Sequence, residues 1–191
     1  MIALDQLEKE FQKHLKAPNL RLFLKPDWGS GQLGSKTLIR QQIETELPAQ
    51  VKPEISELDK IPELKSGFLS ISHCFDVGGF AYSTGLPLGF DVEITSRVTN
   101  SIINRVASPQ ELKSAPSAAS LWTAKEAIFK SLRTFKQPQV VSQIETSWIS
   151  SGVSQVEMFT LNKASDFTSR LGKGCVIHHR THSYAIFLFH S

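Results

Sequence analysis

The chain has few cysteines, which excludes a scaffold built on disulfides. Only Cys74 and Cys175 occur among the 191 residues, whereas small secreted proteins that depend on disulfides carry several pairs. Two cysteines also cannot form a metal cage by themselves. Both lie in apolar, strand-like runs, so we predict that they are buried free thiols in a protein of a reducing compartment.

The sequence also lacks a long apolar run and a strong charge of either sign. The longest apolar stretch, Tyr184–Phe189, is far shorter than the ~20 residues that span a bilayer, and Met1–Glu10 has no apolar signal region. The 21 Lys and Arg residues against 18 Asp and Glu residues give a net charge of +3, too small to indicate nucleic-acid binding. We therefore expect a soluble cytoplasmic protein that binds neither nucleic acid nor membrane.

What remains is the composition of a folded globular protein, with 40% hydrophobic and 20% charged residues in a length that suits one ordinary domain or two small ones. Apolar residues at helical spacing predict helices at 3–16, 35–46, 98–106, 109–113 and 117–135. Segments rich in strand-forming residues, some with alternating apolar and polar side chains, predict strands at 67–72, 78–83, 86–93, 140–149, 153–161, 174–179 and 183–190. Glycine and proline in residues 24–35 predict a loop there.

A faint internal repeat links two of the predicted strand pairs. Ile71-Ser-His73 followed by Phe80-Ala81 is similar to Ile177-His-His179 followed by Tyr184-Ala185. Each would be a strand, a turn and a strand. Hairpins of similar composition also arise by chance, but this similarity suggests two similar halves of roughly 90 residues that meet near Pro87.

Two carboxylates end one of the predicted strands. Strand alternation puts Asp91 and Glu93 on the same face, where they could share a hard cation such as Mg²⁺. The alternative is that they only cap a strand at the surface.

The helix predicted at 117–135 carries a polar edge beside its apolar arc. Leu121, Ala124, Ile128, Leu132 and Phe135 form the arc. Glu126, Lys130 and Arg133 lie together on the edge, where an ordinary solvated salt bridge is the alternative to a site. Lys125 is anomalous because it falls within the arc; either a bound phosphate or snorkelling to the surface would explain it.

The segment Ser70-Ile-Ser-His73 ends a predicted strand just before a turn. His73 could be an ordinary core histidine or could donate to a phosphate. The other histidines, His14, His178, His179, His182 and His190, lack metal-like spacing with Cys or acidic partners, so we assign them no role.

Taken in order, these segments resemble the 4′-phosphopantetheinyl transferases, in particular their longer type that activates surfactin synthetase. Ser-Ile-Ser-His73 is followed by Gly-Phe-Asp-Val-Glu93 and then by Trp-Thr-Ala-Lys-Glu-Ala-Ile-Phe-Lys130. Lys36-Thr-Leu-Ile-Arg40 looks like the family's Arg-x-Leu-Leu-Arg helix, and Arg105–Glu111 looks like its Arg-Phe-Phe-Ser-x-x-Glu stretch. Each motif is weak alone, but their ordered set over residues 33–135 is specific.

The resemblance implies an α+β fold with a pseudo-two-fold repeat, residues 1–87 forming one half and residues 88–191 the other. It implies a monomeric enzyme that moves the 4′-phosphopantetheine arm of coenzyme A to a serine of an apo-carrier protein and releases adenosine 3′,5′-bisphosphate. The carrier would be an acyl carrier protein of fatty acid biosynthesis or a carrier domain of a polyketide or peptide synthase.

The resemblance also implies roles for individual residues. Asp91, Glu93 and Glu126 would hold Mg²⁺, with Mn²⁺ as the other possibility. Glu126 would take the proton of the carrier serine, directly or through a water molecule, and Lys130 would stabilise or protonate the leaving phosphate. The residues expected to contact coenzyme A are Lys36, Arg40, Lys60, Ser72, His73 and Lys125. Carrier docking would involve Arg133 and Lys136.

Two other functions fit parts of this pattern. A non-catalytic module that binds coenzyme A or a carrier protein would suit the thin cationic N-terminal segment, in which Lys36 stands where the family has arginine. It would not need three carboxylates and a positioned lysine. Another Mg²⁺-dependent phosphoryl-transfer enzyme would leave the segment that ends at His73 unexplained.

Overall fold

The computed structural model describes residues 4–47, 64–162 and 171–190. Lys60, which the resemblance places near coenzyme A, lies outside these residues. The described residues form a mixture of helices and antiparallel strands, which confirms the predicted α+β class.

The described part of the chain contains five α-helices and eight strands. The helices are α1 (Leu7–Leu15), α2 (Ser35–Glu46), α3 (Asn100–Ile103), α4 (Pro109–Ser114) and α5 (Ala118–Ser131). The strands are β1 (Leu20–Lys25), β2 (Phe68–His73), β3 (Gly78–Ser83), β4 (Leu88–Ile94), β5 (Thr146–Ile149), β6 (Val156–Leu161), β7 (Gly172–His179) and β8 (His182–Phe189). Within these described ranges, no helix is both long and apolar enough to cross a membrane.

Most predicted elements are confirmed, and the differences have local causes. Strand β1 was not predicted, and the expected loop begins only after it, at Pro26, whose ring leaves no amide hydrogen for a sheet. The strand predicted from residue 140 is wrong in its first half, because Val141–Gln143 forms a 3-10 turn. Helix α5 stops at Ser131 and continues as the 3-10 turn Leu132–Thr134, so it is shorter than predicted.

The strands form two sheets with a common connection pattern. The smaller sheet has the order β1-β3-β2, and the larger has the order β4-β8-β7-β6-β5. In the smaller sheet, β1 and α2 precede the β2–β3 hairpin, and β3 lies between β1 and β2. In the larger sheet, β4 and α5 precede the β7–β8 hairpin, and β8 lies between β4 and β7.

The faint sequence repeat falls on these two hairpins. Ile71 is paired with Phe80 across β2 and β3, and Ile177 is paired with Tyr184 across β7 and β8. The predicted pseudo-two-fold relation between the halves remains a prediction, now with a shared strand order behind it.

The larger sheet is covered on both faces. Ala124 and Ile128 of α5 pack on one face against Phe187 and its neighbours, and Leu7 and Phe11 of α1 belong to the core on the other face. The predicted apolar arc of α5 is confirmed, since Leu121, Ala124, Ile128 and Leu132 are fully buried. Helix α5 begins where the Ser117 hydroxyl accepts a hydrogen bond from the Ser120 amide, a standard helix cap.

Glycine at position 89 allows α5 to approach β4 closely. A Cβ atom there would overlap the carbonyl oxygen of Ala127 and crowd the amide of Ser131. These are backbone atoms of the helix, so a side chain at this position would push the helix off the sheet.

We expect Gly89→Ala to lower the free energy of unfolding by about 1–3 kcal/mol, the usual cost of overpacking a core. Urea denaturation followed by circular dichroism measures it. The matched control is Gly85→Ala, because a Cβ atom at Gly85 meets nothing within 4 Å. Equal stability of the two variants would show that the contact between α5 and β4 is looser than described.

Candidate active site

Serine hydroxyls on β2 join the two sheets. The Ser70 hydroxyl accepts a hydrogen bond from the Phe90 amide at 2.9 Å, and the Ser72 hydroxyl accepts one from the Val92 amide at 3.3 Å. Both serines are buried, and both amides belong to β4. We call this line of contacts between β2 and β4 the seam.

The seam brings together three of the predicted site residues. The Ser72 hydroxyl donates to Oδ1 of Asp91 at 2.8 Å. The Lys130 ammonium, which comes from α5, donates to the same Asp91 oxygen at 2.7 Å and to the Ser72 oxygen at 2.9 Å. Asp91 is buried, so its charge depends on these donors.

Glu126 lies one turn before Lys130 on the same helix. Burial, and then the charge of Asp91, raise the pKa of Glu126, while the charges of Lys130 and Arg133 act in the opposite direction. Glu93 adds a further, smaller upward effect on this pKa. The structure therefore groups Asp91, Glu93, Glu126 and Lys130 electrostatically.

The three carboxylates are gathered but do not converge on one point. Glu93 accepts a hydrogen bond from the Ile94 amide at 2.8 Å. Oδ1 of Asp91 accepts the hydrogen bonds from Ser72 and Lys130. Across the described residues, the one group of three possible metal ligands within 4.8 Å of one another is a different one, namely Cys74, Asp76 and His182.

The type of ligand at the carboxylate group nevertheless fits a hard divalent cation. All three side chains offer oxygen, and Lys130 balances only part of their negative charge. Mg²⁺ commonly keeps several waters and takes one or two protein carboxylates, so a fully closed cage is not needed.

Lys125 does not join this group, and its position argues against the predicted contact with coenzyme A. Its side chain is fully buried on another side of α5, where the ammonium donates to the two Glu111 carboxylate oxygens at 2.8 and 2.9 Å and to the Ile144 carbonyl. A lysine is tolerated within the apolar arc because the buried Glu111 carboxylate pairs with it. Neither a bound phosphate nor snorkelling to the surface is the reason.

Glu111 is held in place by several donors. The Ser108 and Thr146 amides each donate to its carboxylate at 2.9 Å, and with the Ser108 hydroxyl it forms a capping box at the start of α4. Burial alone would raise the pKa of Glu111, but the hydrogen bonds from Lys125 and Ser108 hold it below its usual value. The sequence analysis assigned Glu111 no role; the Ser108-x-x-Glu111 spacing of a capping box is the signal that could have identified it.

The remaining predicted residues within the described ranges lie on β2, on α2 and after α5. His73 is half-buried and, by strand alternation, lies on the opposite face of β2 from Ser72. On α2, Lys36 is exposed and Arg40 donates to the Lys36 carbonyl at 3.1 Å. Arg133 is exposed in the turn after α5 and interacts electrostatically with Glu126, and Lys136 is exposed beyond it. None of these placements tests a role in binding.

The comparisons point to one family. The model of the 4′-phosphopantetheinyl transferase superfamily matches residues 87–188, more than half of the chain. The matched segment contains Asp91, Glu93, Glu126 and Lys130, whereas Ser72 precedes it. No curated protein sequence matches the chain at a significant level.

We expect Lys125→Met to lower the free energy of unfolding by about 3–5 kcal/mol at neutral pH, because it leaves the Glu111 charge buried without its partner. The loss should shrink as the pH falls below about 5. In the wild type the depressed pKa of Glu111 contributes stability that is lost on acidification; in the variant burial disfavours the charge, so protonation relieves the penalty. Urea unfolding across this pH range measures both effects.

The control for this comparison is Lys136→Met, which removes the same charge at an exposed position. It should change stability little at any pH. If Lys125→Met were as stable as this control, the ion pair with Glu111 would be of no consequence for the fold.

Proposed function

The chain belongs to the 4′-phosphopantetheinyl transferase superfamily, and on that basis we propose that it transfers the 4′-phosphopantetheine arm of coenzyme A to a serine of an apo-acyl or apo-peptidyl carrier protein. Adenosine 3′,5′-bisphosphate is the other product. The observation that carries the proposal is the contact of Ser72, Asp91 and Lys130 at the seam, with Glu126 beside it.

Asp91, Glu93 and Glu126 would hold Mg²⁺, or Mn²⁺, through carboxylate oxygens. When bound, the ion would neutralise the negative charge of the coenzyme A pyrophosphate. The Lys130 ammonium, 2.9 Å from the Ser72 oxygen, adds donors for a phosphate oxygen at the same place. Ser72 would contact that phosphate through its single hydroxyl hydrogen, which would leave its hydrogen bond to Asp91 on binding.

In the proposed reaction, Glu126 accepts the proton of the carrier serine and Lys130 stabilises the negative charge of the leaving group. The carrier serine oxygen forms a bond to the β-phosphorus of coenzyme A while the phosphoanhydride bond breaks. The serine proton passes to Glu126, directly or through a water molecule. The electron pair of the broken bond stays on the leaving bisphosphate, next to the Lys130 ammonium.

The remaining parts of the proposal concern binding. Lys36, Arg40, Lys60 and His73 would contact the phosphates of coenzyme A from the N-terminal half, residues 1–87. The C-terminal half, residues 88–191, would supply the carboxylates and Lys130. One chain then completes the site, which suits a monomer acting in the cytoplasm.

The decisive experiment incubates the protein with coenzyme A, Mg²⁺ and an apo-carrier protein and measures the intact mass of the carrier. We expect a gain of one phosphopantetheine unit. We expect Asp91→Asn to abolish it, because the amide keeps the volume and the Ser72 contact but loses the charge.

Asp27→Asn is the control, since Asp27 is an exposed carboxylate in a turn remote from the seam in sequence. Asp91→Asn leaves the Lys130 charge without its partner and should lower the stability, so circular dichroism at the assay temperature must show that this variant is still folded. Asp27→Asn should unfold like the wild type. Binding of coenzyme A without transfer to any carrier would contradict the proposal and identify a non-catalytic binding module instead.

A second prediction concerns carrier docking. Arg133→Glu with Lys136→Glu should raise the KM for an acidic carrier several-fold and leave the KM for coenzyme A unchanged, because exposed charges mainly set the encounter with a charged partner. Added salt should also slow the wild type more steeply than the double variant.

Lys9→Glu with Lys13→Glu is the matched control, because both exposed lysines lie on α1, on the opposite face of the larger sheet from α5. If this control and the Arg133/Lys136 variant responded alike, only the net charge would matter and the docking surface would lie elsewhere.

A further inference from the structure

The turn that follows β2 carries two possible metal ligands, and the start of β8 carries a third. The Cys74 thiol donates to Oδ1 of Asp76 at 3.4 Å, and Nε2 of His182 lies 2.8 Å from the same oxygen. One ligand atom from each residue lies within 4.8 Å of both others. Cys74 and His182 are buried, whereas Asp76 is exposed.

We propose that Cys74, Asp76 and His182 bind one Zn²⁺ ion. A thiol sulfur, an imidazole nitrogen and a carboxylate oxygen together form a ligand set typical of Zn²⁺, and the sulfur and nitrogen disfavour Mg²⁺. Zn²⁺ takes four ligands, so the three side chains leave one position for water or another small ligand. The Asp76 side chain is 52% exposed, so water can reach this group of residues from solvent.

Contacts around the three residues already orient them. The Thr181 hydroxyl lies 3.2 Å from Nδ1 of His182, which leaves Nε2 turned towards Asp76. Metal-binding histidines usually have their second nitrogen fixed in this way. The Cys74 amide donates to the Val77 carbonyl at 2.9 Å, which closes the turn and keeps the thiol beside Asp76.

The same three residues are poorly arranged for nucleophilic catalysis. The carboxylate of Asp76 contacts both the thiol and the imidazole, so it stands between them. Burial above all raises the pKa of Cys74 to about 11, which leaves the metal-free thiol protonated and unreactive. A metal ion would replace the thiol proton and the hydrogen bonds to Asp76 with three direct bonds.

The ligands come from both sheets. Cys74 and Asp76 lie in the hairpin of the smaller sheet, and His182 is the first residue of β8 in the larger one. An ion held by all three would tie the sheets together beside the seam. It would bind the folded chain and not the separated ligands of the unfolded chain, so it would stabilise the fold.

The test titrates the intact metal-free protein with Co²⁺, a spectroscopic substitute for Zn²⁺. We expect one equivalent to produce a thiolate-to-cobalt charge-transfer band in the near ultraviolet, together with the visible bands of a tetrahedral site. One equivalent of Zn²⁺ should abolish these bands, and a large excess of Mg²⁺ should not. Bound Zn²⁺ should also raise the Tm.

Cys74→Ser should remove the charge-transfer band. Cys175→Ala should retain it, because Cys175 is the other cysteine of the chain and lies in β7 away from the turn. His182→Asn should weaken Co²⁺ binding about 100-fold or more, since the loss of even an indirect partner costs 10–100-fold. Asp76→Asn changes an exposed side chain and serves where the buried variants fail to fold.

Three results would overturn the proposal: no band in the wild type, a band that survives Cys74→Ser, or unchanged affinity in Asp76→Asn. None of these readouts depends on transferase activity, so they also separate this site from the carboxylates at the seam.

Discussion

The hydrogen-bonded contact of Ser72, Asp91 and Lys130 is the interaction on which the rest of the structure depends. Its members come from β2, β4 and α5, so one buried carboxylate fixes the smaller sheet, the larger sheet and the longest helix relative to each other. A buried charge must keep its partners at hydrogen-bond distance, because the free energy lost by removing the charge from water is otherwise not compensated. The place where the two sheets meet is therefore also a place where charged groups are fixed by buried hydrogen bonds.

A second ion pair acts on the same helix from another direction. Lys125 and Lys130 are separated by five residues, which turns their side chains about 140° apart around α5. Lys130 reaches Asp91 on β4, and Lys125 reaches Glu111 at the start of α4. The helix is thus anchored on two sides, and Glu126 lies on it between the two lysines. Buried salt bridges on a single helix would supply the precision that the acid–base role proposed for Glu126 requires.

Local sequence patterns predicted what depends on near neighbours. The periodicity of α5 identified its buried face correctly, and strand alternation put Asp91 and Glu93 on one face of β4, because both follow from backbone geometry. The partner of Lys125 could not be predicted, since Glu111 belongs to another helix and sequence spacing does not fix how helices pack. Cys74, Asp76 and His182 were missed for the same reason: Asp76 and His182 are 106 positions apart, and only the pairing of the sheets brings them together.

The two candidate metal sites use chemically different ligands on opposite faces of one sheet. His182 and Ala185, the partner of Asp91, are three residues apart on β8, an odd spacing that puts them on opposite faces. The carboxylate group that includes Asp91 offers only oxygen ligands, and the group that includes His182 offers sulfur and nitrogen as well. Hard and borderline-soft cations are sorted by ligand type more than by cavity size. The strand alternation that divides the core into two layers would therefore also keep Mg²⁺ and Zn²⁺ from competing, and each ion could act at the junction of the sheets without displacing the other.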